Sequence, residues 1–151
     1  MPRILVTTSV PAPPAQVFAA ALDAGAHSRS MARHGERVVG GPADGVLRPG
    51  DEVTFEARHF GLRWRLTARI TGYDEPRSFV DEQVRGPFRT WRHEHRFEDD
   101  GAGGTVMVDD IEFRSPVPGL GRLVDRLFLR AYMERVIRSR GAYLRDGHPF
   151  G

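Results

Sequence analysis

The sequence predicts an α+β fold in which a seven-stranded antiparallel sheet curves around one long C-terminal helix, with two short helices between strands 1 and 2. Three observations carry this reading. Leu120, Leu123, Val124, Leu127, Phe128, Ala131, Val136, Ile137 and Leu144 recur at three- and four-residue steps, the spacing of one helical face. Arg122, Arg126, Arg130, Glu134 and Arg138 run at four-residue steps and form a solvated stripe on another face. Between Asp51 and Arg114 the period changes to two, the inside/outside alternation of an antiparallel sheet with one wet face. A helix from Leu120 to Leu144 is roughly 37 Å long. Only a sheet can bury its apolar face in a chain of 151 residues. A sheet that grips a helix in this way leaves room for a cavity between them.

Each element has its own signal. Ile4–Val10 is short and β-branched, a first strand ended by Pro11, Pro13 and Pro14. Pro14 suits the first turn of a helix, where a missing N–H costs nothing, so Ala15–Leu22 reads as that helix with Val17, Phe18, Ala21 and Leu22 on one side. Asp23–His34 is a second short helix, Val38 and Val39 begin a short strand, and Pro49-Gly50 is a turn. Asp51–Phe60 and Arg63–Tyr73 are paired strands around Gly61-Leu62, the second with Trp64, Leu66, Ala68 and Ile70 on one face and arginines on the other. Arg77–Val84, Arg89–Glu98 and Thr105–Arg114 complete the sheet, with turns at Gly86-Pro87 and Asp99–Gly104. Leu66, Phe79, Phe97, Leu123, Leu127 and Phe128 are expected in the core, and His148–Gly151 as a frayed tail.

Composition narrows the class. Residues 1–151 are expected to form a single domain, with 40% hydrophobic and 28% charged residues, ordinary for a globular protein. No apolar run is long enough for a membrane span, so stable membrane insertion is not expected. The first residues lack the charged and apolar regions of a signal peptide, and a cytoplasmic location follows as the default. The absence of cysteine excludes disulfides and thiolate metal sites. All 22 basic residues are arginine, which excludes a Schiff-base lysine. Acidic residues offset them to a net charge of +2, and no basic cluster stands clear of acids, so a nucleic-acid partner is not expected.

Several stretches resemble a known family. The strand-Pro-Pro-helix opening VPAPPAQVFAA, GVLRPGDEV, the run FVDEQVRGPFRTWRHEHRFED, the GGT before the last strand and PGLGRLVDRLFLRAYMERV are similar to one bacterial branch of the SRPBCC superfamily. This is the START-like helix-grip fold of polyketide cyclases and lipid-transfer proteins. The resemblance covers the whole chain. It implies a cavity beneath the last helix, and it transfers no catalytic motif residue by residue, because the superfamily hosts carriers, sensors and enzymes alike.

The chemistry-bearing residues lie on the last three strands. Phe79, Asp81 and Gln83 share one face; Trp91, His93, His95 and Phe97 share the next; Met107, Asp109, Ile111 and Phe113 share the third. If Arg85 faces Arg89, Asp81 faces His93; if Phe97 faces Thr105, His93 faces Asp109. The result is a cross-strand row, Asp81–His93–Asp109, with Cβ atoms about 5 Å apart. A slip of two residues would break that row. Three readings compete for the row: first a self-satisfied polar patch, then a recogniser of a ligand's polar group, and last a catalytic acid and base.

Phe55, Trp64, Gln83, Trp91, His95, Met107 and Phe113 are expected to line the ligand site. His93-x-His95 shares one face, but no metal and no cofactor is assigned, since neighbouring carboxylates suit hydrogen bonding to both rings. The expected partner is a small hydrophobic molecule such as a lipid, polyketide or isoprenoid-like compound, bound by a monomer or homodimer. The alternative is an aromatase/cyclase-like enzyme using Asp81, His93 and Asp109.

Overall fold

The computed structural model describes residues 3–31, 35–114, 128 and 130–146. Seven strands form one antiparallel sheet: β1 (Arg3–Val10), β2 (Arg37–Gly40), β3 (Glu52–His59), β4 (Leu62–Asp74), β5 (Ser78–Arg85), β6 (Thr90–Asp99) and β7 (Thr105–Arg114). The order across the sheet is β1-β7-β6-β5-β4-β3-β2. Two short helices, α1 (Pro14–Ala21) and α2 (Ala24–Ser30), lie between β1 and β2, and α3 (Arg130–Arg145) closes the fold. No helix among the described residues is long and apolar enough to cross a membrane.

Local chemistry explains the elements. Pro14 occupies the first turn of α1, whose Val17, Phe18 and Ala21 are buried. Phe18 makes edge-to-face contacts with Tyr73, Phe79 and Phe97, which anchors α1 against the sheet. The Asp23 carboxylate accepts the Ala26 N–H at 3.0 Å and starts α2. The β4 register shifts at Thr67/Ala68 and again at Ile70/Gly72. Such bulges bend a strand and deepen its twist, and here they curl the sheet.

The helix α3 packs chiefly on β1 and, less extensively, on α2. Its buried face is Val136, Ile137, Arg140, Gly141 and Leu144. Gly141 is required by that approach, since a Cβ there would collide with Thr8 of β1. Two apolar clusters result. Val10, Phe18, Phe79, Phe97, Met107 and Leu144 belong to one; Ile4, Val6, Trp91, Ile111, Phe113 and Ile137 form the other.

Three sequence expectations need correction. Phe128 is 61% exposed rather than buried. Leu66 is only half-buried, because it stands on a cavity wall. The β6–β7 register differs by two residues: Phe97 pairs with Met107, so His95 faces Asp109 and His93 faces Ile111. The cause is a tighter turn than the sequence implied. Asp99 still pairs with Thr105, and the loop closes on its own carboxylates. Asp99 accepts the Gly101 N–H at 2.7 Å, and Asp100 accepts those of Ala102 at 2.7 Å and Gly104 at 2.9 Å. Gly101 and Gly103 supply the positive φ angles, 80° and 84°, that the turn needs. The expected helical turns from Leu120 to Leu127, with Leu123 and Leu127, and the tail His148–Gly151 lie outside the described residues.

Burial separates two phenylalanines that the sequence placed together. Phe97→Ala should cost about 3–5 kcal/mol of unfolding free energy by urea denaturation. Phe128→Ala should change it by less than about 0.5 kcal/mol. Equal losses would refute this assignment of faces.

Candidate functional site

Because α3 packs chiefly on β1 and α1 covers the sheet around Phe79 and Phe97, only part of the inner faces of β3 to β6 is left uncovered. The space left is a cavity of about 330 Å³. Phe55 and Ala57 of β3, Trp64, Leu66 and Ala68 of β4, and Trp91 of β6 form its apolar wall. Asp81, His93, His95 and Arg140 supply the polar wall at the centre of the sheet and on the helix. A few convergent polar groups in an otherwise apolar cavity is the ordinary make-up of a small-molecule site.

The expected lining is partly corrected. Phe55, Trp64, Trp91 and His95 border the cavity, whereas Gln83, Met107 and Phe113 do not. Met107 and Phe113 are fully buried beneath the helices, because β7 sits under α3. Gln83 is spent on the β5–β6 hairpin: Nε2 donates to the Phe88 carbonyl at 2.7 Å and Oε1 accepts the Phe88 N–H at 3.2 Å. Asp109 is also fully buried and stands behind the wall.

Despite the altered register, the carboxylates and imidazoles are joined, but diagonally. Asp81 faces His93 across β5–β6, yet its Oδ2 accepts from His95 Nε2 at 2.6 Å. Asp109 faces His95 across β6–β7, yet its Oδ1 accepts from His93 Nε2 at 2.8 Å. The long imidazole arm reaches a diagonal neighbour. His93 and His95 stack with ring centroids 3.6 Å apart, and Phe79 stacks on the other face of His95 at 4.1 Å.

Arg140 completes the group, and the sequence analysis missed it. It is 2% exposed, and its Nη1 donates to Asp109 Oδ1 at 3.3 Å. A signal was available: Arg140 falls between Ile137 and Leu144 at the three- and four-residue steps of the buried face. Some polar atoms of the group are not used by these bonds. Within the described residues, His93 Nδ1, Asp81 Oδ1 and Arg140 Nη2 have no hydrogen-bonding partner. Asp109 Oδ2 and His95 Nδ1 are fully buried without one.

Electrostatics assigns the protons. Burial pushes the His95 imidazolium down to about 3, helped by the neighbouring His93 and only partly opposed by Asp81. A neutral His95 must therefore donate through Nε2 to Asp81, since an ionised carboxylate can only accept. Burial alone would raise the Asp81 and Asp109 carboxyls. The hydrogen bond from His95 holds Asp81 below its ordinary value instead, and the one from His93, with the Arg140 charge, holds Asp109 well below.

Single donor atoms of Asp81, His93 and His95 lie within 4.8 Å of one another, a spacing a metal ion could draw together. The rings, however, are stacked with planes 20° apart, so their in-plane lone pairs do not converge. Ligation would require one ring to turn and the Asp81–His95 bond to break.

The depressed His95 value fixes a pH dependence. Between about 6.5, the ordinary histidine value, and about 3, the unfolded chain binds the proton and the folded chain does not. Stability is therefore complete above that window and is lost as pH falls through it; Asp81 and Asp109 add losses of the same sign at lower pH. Urea unfolding from about pH 7 to pH 4 should show a slope of up to about 1.4 kcal/mol per pH unit from this group. His95→Gln, which can still donate to Asp81, should remove that share. An unchanged slope would mean that His95 titrates as a free histidine.

The family described as polyketide cyclase / dehydrase and lipid transport matches residues 1–145. Among solved structures, the Zhui aromatase/cyclase of a Streptomyces species has a TM-score of 0.76 at 18% identity, over 96% of this chain and 92% of that one. A Thermus thermophilus protein has a TM-score of 0.74 at 18% identity, over 97% and 99% of the two chains. A START superfamily protein from Mycobacterium smegmatis has a TM-score of 0.71 at 14% identity, over 95% and 97%. No curated protein matches the sequence. At such identities these structures share the fold, and it is the family match over nearly the whole length, on a curved sheet gripping its last helix, that places the chain in the polyketide cyclase/dehydrase and lipid transport family of the START-like SRPBCC superfamily.

Proposed function

We propose that the protein binds a small, largely apolar molecule carrying at least one polar oxygen, of the lipid, polyketide or isoprenoid kind, between the sheet and α3. The observation that carries this reading is the cavity of about 330 Å³, apolar over most of its wall, with Asp81, His93, His95 and Arg140 clustered among its polar groups. The apolar body of the ligand lies against Phe55, Trp64, Leu66 and Trp91. Its oxygen meets both kinds of partner: Arg140 can only donate, and Asp81 can only accept while ionised. A hydroxyl or an enolised ketone satisfies both.

A second reading has its own support. The His93–Asp109 hydrogen bond of 2.8 Å is that of an oriented base, with the carboxylate fixing the ring and the other nitrogen free. In an aromatase/cyclase-like reaction His93 would move a proton on the ligand and Asp81 would be the second acid/base group. Asp109, walled off from the cavity, would position His93 rather than touch the substrate.

Mass spectrometry of whatever copurifies with the protein tests the first reading. Titration of hydroxylated polyaromatics and acyl lipids, read by tryptophan emission from Trp64 and Trp91, gives the affinity. Ala68→Phe fills the cavity from β4 and should abolish the emission change while leaving the melting temperature equal or higher. Recovery of the ligand unaltered after incubation supports a carrier; a cyclised or dehydrated product that His93→Phe no longer forms supports the enzyme. No emission change or thermal shift from any compound would overturn both.

A further inference from the structure

Among the described residues, the large apolar side chains more than half exposed are Leu5, Phe60, Leu62 and Phe128, at 53%, 52%, 58% and 61%. Three of the four gather at one place. Phe60 and Leu62 form the β3–β4 tip, and Phe60 packs against Phe128 and Tyr132 from the helix side, with ring centroids 5.8 and 4.5 Å apart. Phe60 and Tyr132 also border the cavity, so the exposed patch is the rim of its mouth.

The tip is built from an unfavourable residue. His59 pairs with Leu62, leaving a two-residue loop in which Phe60 and Gly61 both have positive φ, 55° and 73°. Such hairpin turns favour Asn-Gly or Asp-Gly, and a bulky residue at positive φ is strained. Phenylalanine here costs backbone energy and exposes its ring to water. The contacts with Phe128 and Tyr132 still leave the ring 52% exposed, which points to a further role for it at the surface.

The outer face beside this tip is strongly basic. Arg58 and Arg63 are directly opposed across β3–β4, a like-charge pairing. Among the described residues, the one carboxylate in the depression they share with Arg37 is Glu56, which also takes Arg65 and is thereby held below its ordinary value. Four largely exposed guanidinium groups thus surround a single buried carboxylate at the end of the sheet that carries the apolar rim.

We propose that the β3–β4 tip, with Phe60, Leu62 and Phe128, docks on the surface of an anionic lipid bilayer, the rim entering the interface and Arg58, Arg63, Arg65 and Arg37 meeting the headgroups. Exposed aromatic and leucine side chains beside a basic cluster are the make-up of a peripheral membrane contact. The position at the cavity mouth favours a bilayer over an acidic protein, because an apolar molecule can then pass between bilayer and cavity without crossing water. The choice of a bilayer rests on the proposed apolar ligand, whereas vesicle binding is read with the cavity empty or filled.

The test is cosedimentation of the full chain with vesicles of phosphatidylcholine alone or mixed with phosphatidylglycerol. The protein should bind the mixed vesicles at low salt, bind phosphatidylcholine weakly, and be released by added salt. Phe60→Asn should weaken binding about tenfold or more. The same change should leave the melting temperature equal or higher, since Asn-Gly suits the turn. Arg58→Gln with Arg63→Gln should weaken binding to mixed vesicles about 25-fold, about fivefold for each charge, with the fold intact. No binding to mixed vesicles at low salt, or binding that both variants keep, overturns the proposal. Self-association of the chain that Phe60→Asn abolishes, without vesicle binding, would assign the patch to a second copy instead.

Discussion

The ionised carboxylate of Asp109 is the constraint on which the rest of the site depends. It is fully buried on β7, where an unpaired charge would cost many kilocalories. It is tolerated because it accepts from His93 on β6 and Arg140 on α3. One oxygen therefore ties two strands and the closing helix together. Removing Arg140 would break a buried ion pair, a loss of about 3–5 kcal/mol in comparable pairs. Gly141, one residue along, permits the close helix–strand approach that brings Arg140 to this depth.

The cavity follows from where that contact holds the helix. With α3 packed chiefly on β1, the bulged strand β4 and its neighbours leave part of their inner faces uncovered. Side chains that the alternation pattern treats alike thereby diverge. Met107 and Phe113 become core, while Phe55, Trp64 and Leu66 become wall. The β3–β4 tip meets the start of α3 at Tyr132 but is not covered by it, so Phe60 and Leu62 remain in contact with solvent.

The polar wall joins two chemistries that a purely apolar container would not need. Asp81 and His95 form one hydrogen-bonded pair and Asp109 with His93 the other, and the two imidazoles stack between them. His95 is kept neutral by burial, so its pair presents a carboxylate to the cavity. Arg140 adds a donor that no strand residue supplies. Together they can bind an oxygen that both accepts and donates, whether or not a bond in the ligand is then made or broken.

Local sequence chemistry was enough to determine the elements, their order and which face of each strand turns inward. Proline at the start of α1, the switch from period two to helical spacing and the aspartate-glycine turns act through nearest neighbours, and they place the inward Asp81, His93, His95 and Asp109 on three adjacent strands. What lay beyond the sequence was set by contacts distant along the chain. The β6–β7 register depended on how tightly Asp99 and Asp100 close their loop, a matter of hydrogen-bond geometry that composition does not disclose. Arg140 keeps the spacing of the buried helical face, but only a carboxylate 31 positions earlier in the chain makes an arginine tolerable there. Whether Met107, Phe113 or Trp64 borders the cavity depended on the lateral position of one helix over the sheet. Periodicity tells which face is buried; only the packed helix decides what it is buried against.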